Sequence, residues 1–167
     1  LSLVNQLLDF RRTEIEGFRL NFVRTNLVEL LQETTDRFQE SAASQGLLLN
    51  WTSSAAELYA YVDREAVTKI FSNLLANAIK YARSSIRIHL RLNDREQIEM
   101  DFINDGKPIP EELREKIFEP FYRIPNTEGK TGTGLGLPLA RSLAEMHHGT
   151  LVLDKPGTDG AQTCFRL

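Results

Sequence analysis

One cysteine, Cys164, stands in 167 residues, which excludes an intrachain disulfide and a multi-cysteine zinc site. It lies in the strand-like pattern of residues 161–167, where a buried thiol is expected. No apolar run reaches the roughly eighteen residues that a membrane-spanning helix needs, and no signal-peptide pattern opens the chain, so the piece is expected to face the cytoplasm. Neither sign of charge dominates. Twenty Lys and Arg against 23 Asp and Glu leave a net charge of -3, which argues against broad nucleic-acid binding despite a local run at Arg83, Arg87 and Arg91. No Gly-Lys-Ser/Thr follows the glycine cluster, which excludes a Walker phosphate loop, and the Rossmann spacing is absent too. Internal repeats and low-complexity segments are also missing. What remains, 41% hydrophobic and 26% charged residues, is the composition of one globular domain with a core.

Three segments carry the chemistry. Gly132-Thr133-Gly134-Leu135-Gly136-Leu137 places glycines at alternate positions ahead of an apolar helical run. Glycines let bare backbone approach a polyphosphate, and the positive end of the following helix faces the anion. Upstream, residues 63–81 read as one helix capped by Asp63, with Val67, Ile70, Phe71, Leu74, Ala78 and Tyr81 on its apolar face. Asn73, Asn77 and Lys80 fall at i, i+4 and i+7, a polar stripe along one side. Asparagine is a poor interior helix residue, so the pair suits amide oxygens that hold a hard divalent cation, with Lys80 meeting phosphate. A solvent-facing stripe is the plainer alternative. The third segment is the alternating strand at 97–103 that ends in the turn Asn104-Asp105-Gly106.

Together these segments resemble the ATP-binding catalytic domain of bacterial sensor histidine kinases, within the superfamily of gyrase B, the ninety-kilodalton heat-shock chaperones and the MutL repair proteins. The asparagine box is residues 73–81 and the first glycine box residues 104–110. The phenylalanine box is Ile117-Phe118-Glu119-Pro120-Phe121-Tyr122-Arg123, and the second glycine box residues 132–137. The resemblance covers residues 21 to 167. It implies an α+β fold, a two-layer α/β sandwich with a mixed, mostly antiparallel sheet and three long helices, of the Bergerat type. By resemblance, Asn77 is a magnesium ligand supported by Asn73, and Lys80 and Arg123 contact phosphate. Tyr81, Asn104, Asp105, Gly106, Ile109, Lys130, Thr131, Gly132, Thr133, Gly134, Leu135 and Gly136 form the nucleotide-binding set. Residues 124–133 stand in the place of a lid over ATP.

Two departures from the family pattern stand out. Asn104 replaces the Asp whose carboxylate accepts the adenine amino group; an amide oxygen accepts the same bond without its charge-assisted part, and Asp105 offers an alternative acceptor. Pro108 replaces the second glycine of that box and removes a backbone donor. Hydrolases and serine kinases of the superfamily resemble one another in carrying a glutamate base where Asn73 stands, and an amide has no useful basicity. A same-fold ATPase or switch and an anti-sigma-type serine kinase are therefore disfavoured, while a degenerate partner-binding module draws support only from Asn104 and Pro108.

No histidine reads as the phosphoacceptor. His89 lies on the polar face of a strand with Arg87 and Arg91, and His147 and His148 close the last long helix before Gly149. The acceptor is expected on a dimerisation domain outside the chain, and the phosphoryl group is expected to pass on to a response-regulator receiver. Residues 1–20 are expected to hold the truncated end of the dimerisation helix and a linker, since Leu1, Val4, Leu8, Arg11 and Ile15 keep a three-four spacing. Residues 5–12 resemble hybrid sensors of the Bacteroides type. The chain, which begins at Leu, is thus expected to be a monomeric piece of a dimeric, inner-membrane-anchored kinase.

Periodicity sets the remaining expectations: strands at 20–24, 47–52, 58–62, 85–92, 97–103, 149–154 and 161–167, a helix from an Asn26 cap to Ser44, and a short helix at 110–117.

Overall fold

Two side-chain caps decide where the long helices begin. Asn26 Oδ1 accepts the Val28 N–H at 3.2 Å, opening α2 (Leu27–Ser44), and accepts the Leu58 N–H at 3.2 Å, which brings in β3 (Tyr59–Val62). Asp63 does the same for α3 (Arg64–Tyr81): Oδ1 accepts the Ala66 N–H at 2.9 Å and Oδ2 the Asn21 N–H at 2.8 Å. The computed structural model describes residues 3–14, 19–125, 132–154 and 163–167. The other elements are α1 (Leu3–Glu14), β1 (Val23–Asn26), β2 (Leu48–Ser53), β4 (Ser85–Leu92), β5 (Ile98–Asn104), α4 (Gly136–Met146), β6 (Val152–Leu153) and β7 (Thr163–Arg166).

β1 and β3 form a separate antiparallel ribbon. The main sheet has the order β2-β4-β5-β7-β6, parallel between β2 and β4 and antiparallel elsewhere. Alternation explains its two faces. Ile86, Ile88 and Leu90 of β4, Met100 and Phe102 of β5 and Phe165 of β7 are buried. They meet α3, which packs between α2 and α4 and buries Val67, Ile70, Phe71, Leu74, Leu75 and Ala78. Phe71 and Phe102 rings sit 5.9 Å apart across the layers. This is the mixed-sheet α+β sandwich that the sequence pattern implies.

The outer face is polar. Asp101 is clasped by Arg166 Nε at 2.8 Å and by Arg91, and Glu99 and Asp154 extend the chain of charges. Burial alone would raise the Asp101 carboxyl, but the Arg166 and Arg91 hydrogen bonds hold it below its ordinary value. His89 is part of this face, its Nδ1 2.8 Å from the Thr52 hydroxyl.

Several elements differ from expectation. Residues 110–117 make two 3₁₀ turns, Glu111–Leu113 and Lys116–Phe118, because a stretch held between Pro110 and Pro120 is too short for a cooperative helix and must bury adjacent Ile117 and Phe118. β1 starts three residues later than expected, and β6 keeps two residues because Leu151 turns into the core after the helix cap. That cap puts His148 at φ 59°, a left-handed conformation that glycine usually fills. Cys164 is half-buried on the outer face rather than fully buried; burial, with Asp101 and Asp154 nearby, pushes its thiol up to about 12. Most of the expected lid and the turn at Gly157 and Gly160 lie outside the described residues.

Candidate functional site

The site grows from one side of α3. Asn73 is 9% exposed, and its Nδ2 donates to the Lys69 carbonyl at 2.9 Å, which leaves Oδ1 facing the first turn of α4. A Cβ added at Gly136 would stand 3.0 Å from that oxygen. One turn along α3, Asn77 is partly exposed. Further on, Lys80 Nζ lies 4.8 Å from the centroid of the Tyr81 ring, and a Cβ at Gly132 would come within 2.7 Å of the ammonium nitrogen.

Each glycine of the second box therefore faces a different partner. Gly132 meets Lys80 and Gly136 meets Asn73, while Gly134, at φ 74°, packs on the Phe121 backbone, where a Cβ would lie 2.6 Å from the carbonyl carbon. The Phe121 N–H donates to the Gly134 carbonyl at 2.9 Å, with Phe121 itself at φ 66°. Leu135 is wholly buried, and its N–H donates to Thr133 Oγ1 at 3.2 Å. No side chain caps α4, so the N–H groups of Gly136 and Leu137 open at the positive end of the helix dipole. Pro138 falls in that first turn, where its missing N–H costs nothing.

The first glycine box closes the other side. Asn104 ends β5 at 2% exposure, and Gly106 lies so close to the Tyr81 carbonyl that any Cβ would collide with it. Among the described residues, Asn104 Nδ2 and Arg114 Nε are the buried side-chain atoms without a hydrogen-bond partner. Asp105 is otherwise committed. Its carboxylate accepts the N–H groups of Arg83, Ser84 and Ser85 at 2.8 to 3.1 Å and the Ser84 hydroxyl at 2.5 Å. Burial alone would raise this carboxyl, but the Ser84 hydroxyl and the three N–H groups outweigh it and hold it far below the ordinary carboxylate range. The alternative of Asp105 as a base acceptor is therefore set aside: its oxygens tie the end of α3 to the start of β4. Ile109 is partly buried beside the core, and Arg123 is exposed beyond Tyr122. Lys130 and Thr131 lie outside the described residues.

Two participants were not foreseen. The Phe121 backbone shapes the glycine turn, and a bulky residue at positive φ leaves no trace in sequence. The Asp105 clamp left a weak one, an Asp in a turn beside a Ser-Ser pair across the sheet. Among the described residues, no three His, Cys, Asp or Glu side chains converge on a possible metal site.

Residues 62–167, which hold all four boxes, match the family described as histidine kinase-, DNA gyrase B- and HSP90-like ATPases. The chain belongs to that ATPase family. It is 34% identical to histidine kinase P4 of Formosa agariphila over 167 residues, covering 95% of the chain and 12% of that protein. With the sensor histidine kinase RppB of Synechocystis it shares 32% identity over 99% of the chain and 37% of the relative. The chain thus spans a minor part of the curated relatives it matches. Among solved structures, the catalytic domain of histidine kinase ThkA superposes with a TM-score of 0.75 at 29% identity, over 89% of the chain and 95% of that structure. Full-length ShkA in complex with AMPPNP superposes with a TM-score of 0.84 at 22% identity, over 98% of the chain and 34% of its own, a likeness of fold.

Proposed function

We propose that this domain binds Mg-ATP and delivers the γ-phosphoryl group to a histidine on a dimerisation domain, from which it passes to a response-regulator receiver. The observation that carries the reading is the convergence of Asn73, Lys80 and the uncapped start of α4 on one glycine turn, where Gly132 and Gly136 leave room that a Cβ would fill. Polyphosphate fits such a cradle, since backbone N–H groups and an ammonium meet its charge.

In this reading Asn77 holds Mg²⁺ through its amide oxygen, with Asn73 behind it. Magnesium, if bound, would neutralise phosphate charge. Lys80, Arg123 and the N–H groups of Gly136 and Leu137 supply the fixed positive charge. Tyr81, Ile109 and Asn104 border the base, Gly134 and Leu135 belong to the glycine turn, and Lys130, Thr131 and Thr133 fall within the lid segment 124–133. Asn73 offers no general base, so the acceptor brings its own nucleophilicity, as a neutral imidazole does. Rate then comes from positioning and charge neutralisation.

The partners follow from the same reading. α1 is the end of a dimerisation helix, with Val4, Leu7 and Leu8 exposed and Phe10 packed against the core. One neighbour, at 26% identity and a TM-score of 0.74, is histidine kinase ThkA in complex with the response regulator protein TrrA. Among the described residues no helix is long and apolar enough to cross a membrane; the parent kinase's anchor and its cytoplasmic placement belong to this proposal.

Calorimetric titration with a non-hydrolysable ATP analogue, with and without Mg²⁺, tests the reading. Saturable binding strengthened by magnesium is expected, and Asn77→Ala should lose the magnesium-dependent part with its circular dichroism unchanged. Absence of binding at millimolar ligand would overturn the nucleotide assignment; an unchanged magnesium effect in the variant would overturn the ligand role of Asn77.

A further inference from the structure

We infer that Asn104 makes the base pocket accept 6-oxopurines as well as adenine. The inference rests on the nucleotide reading above and concerns what the base edge meets.

Asn104 is 2% exposed at the end of β5, and its Nδ2 has no hydrogen-bond partner. Leaving a buried donor unmade carries a cost that a folded protein normally removes by pairing the group. Gly106 lets the backbone pack closely beside it: a Cβ there would stand 2.7 Å from Nδ2 and would collide with the Tyr81 carbonyl. The neighbouring acid contributes nothing to this spot, because the Asp105 carboxylate is taken up by residues 83–85. The base edge thus meets an amide whose donor is not held by a protein partner.

An amide presents one acceptor and one donor side by side. Adenine offers an amino donor at position 6 and an acceptor at N1. A 6-oxopurine offers the reverse, a carbonyl acceptor at position 6 and an N1–H donor. Rotating the Asn104 amide by half a turn about χ2 exchanges its oxygen and nitrogen, so the same side chain matches either edge with two hydrogen bonds. A carboxylate only accepts: it matches the amino group of adenine, whereas against a 6-oxopurine it can take the N1–H alone and sets negative oxygen against the carbonyl. Because Nδ2 is anchored to nothing, no second contact fixes the amide in the orientation that suits adenine alone.

Calorimetric titration of the chain with ADP and with IDP isolates this edge, since hypoxanthine differs from adenine at position 6 and N1 and lacks the 2-amino group of guanine. Wild type is expected to bind the two within about tenfold of each other. Asn104→Asp should weaken IDP relative to ADP by roughly a hundredfold or more. Wild type that binds ADP but rejects IDP by about a hundredfold would overturn the inference while the nucleotide reading stands, as would an ADP to IDP ratio unmoved by Asn104→Asp. Failure of wild type to bind either nucleotide would remove the nucleotide reading and the inference together. The wild-type ratio decides the matter even if the variant does not fold.

Discussion

His147 Nε2 accepts the backbone N–H of Asp63 at 3.0 Å while its Nδ1 lies 2.7 Å from the Leu143 carbonyl, so one imidazole joins the end of α4 to the start of α3. The Asp63 carboxylate in turn holds the Asn21 N–H, and the Phe22 ring meets the imidazole edge-on with centroids 5.3 Å apart. Segment 19–22, both helices and the ribbon therefore share one node. His147→Ala leaves the Asp63 N–H without its acceptor and should cost about 1–3 kcal/mol in urea unfolding. Hydrogen exchange at Asn21 and Asp63 should accelerate with it. An unchanged midpoint and unchanged exchange would show that the node carries no stability.

Two glycines separate backbone strain from collision. Gly46 and Gly134 have nearly equal positive φ, 70° and 74°, but nothing lies within 4 Å of a Cβ at Gly46, whereas one at Gly134 meets the Phe121 backbone. Gly46→Ala should cost about 1–2 kcal/mol, the price of the left-handed conformation alone. Gly134→Ala should cost about 1–3 kcal/mol more, because backbone must move. Equal thermal shifts in the two variants would refute the close approach at Phe121.

Asp105 gives a pH signature. Its folded carboxyl lies below the unfolded one, so its stabilisation is complete above about pH 4, near the unfolded value, and is lost as pH falls towards the folded one. Wild type should exceed Asp105→Asn by about 1–2 kcal/mol at pH 6, discounted for partial exposure of the carboxylate. The gap should narrow below pH 4. Denaturant midpoints across that range give the answer, and a gap independent of pH would exclude the charged clamp.

Local signals carried most of the elements. The caps at Asn26 and Asp63, the β4–β5 hairpin and the amide stripe of α3 are each set by residues within a few positions, which periodicity and capping chemistry reach. The glycine and asparagine boxes were legible as types of residue at a spacing. What joins them was not: the approach of Gly136 to Asn73 closes a separation of 63 residues along the chain. The parallel pairing of β2 with β4 and the separate ribbon of β1 and β3 escaped for the same reason, since pairing between distant strands leaves no local pattern. The 3₁₀ turns before Phe118 show burial overriding a helical spacing.

The three-way seating of the second glycine box has a bearing on how this domain changes over generations. Gly132, Gly134 and Gly136 abut Lys80, Phe121 and Asn73, which come from two other segments of the chain. A larger residue at 132 or 136 is tolerated only when the side chain it meets retreats, so variation there should arrive in pairs, 132 with 80 and 136 with 73, while 134, which meets backbone, should stay glycine. Among diverged members of the ATPase family the boxes should drift as a linked set, and grafting the second glycine box alone between distant members should fail where grafting all three segments succeeds.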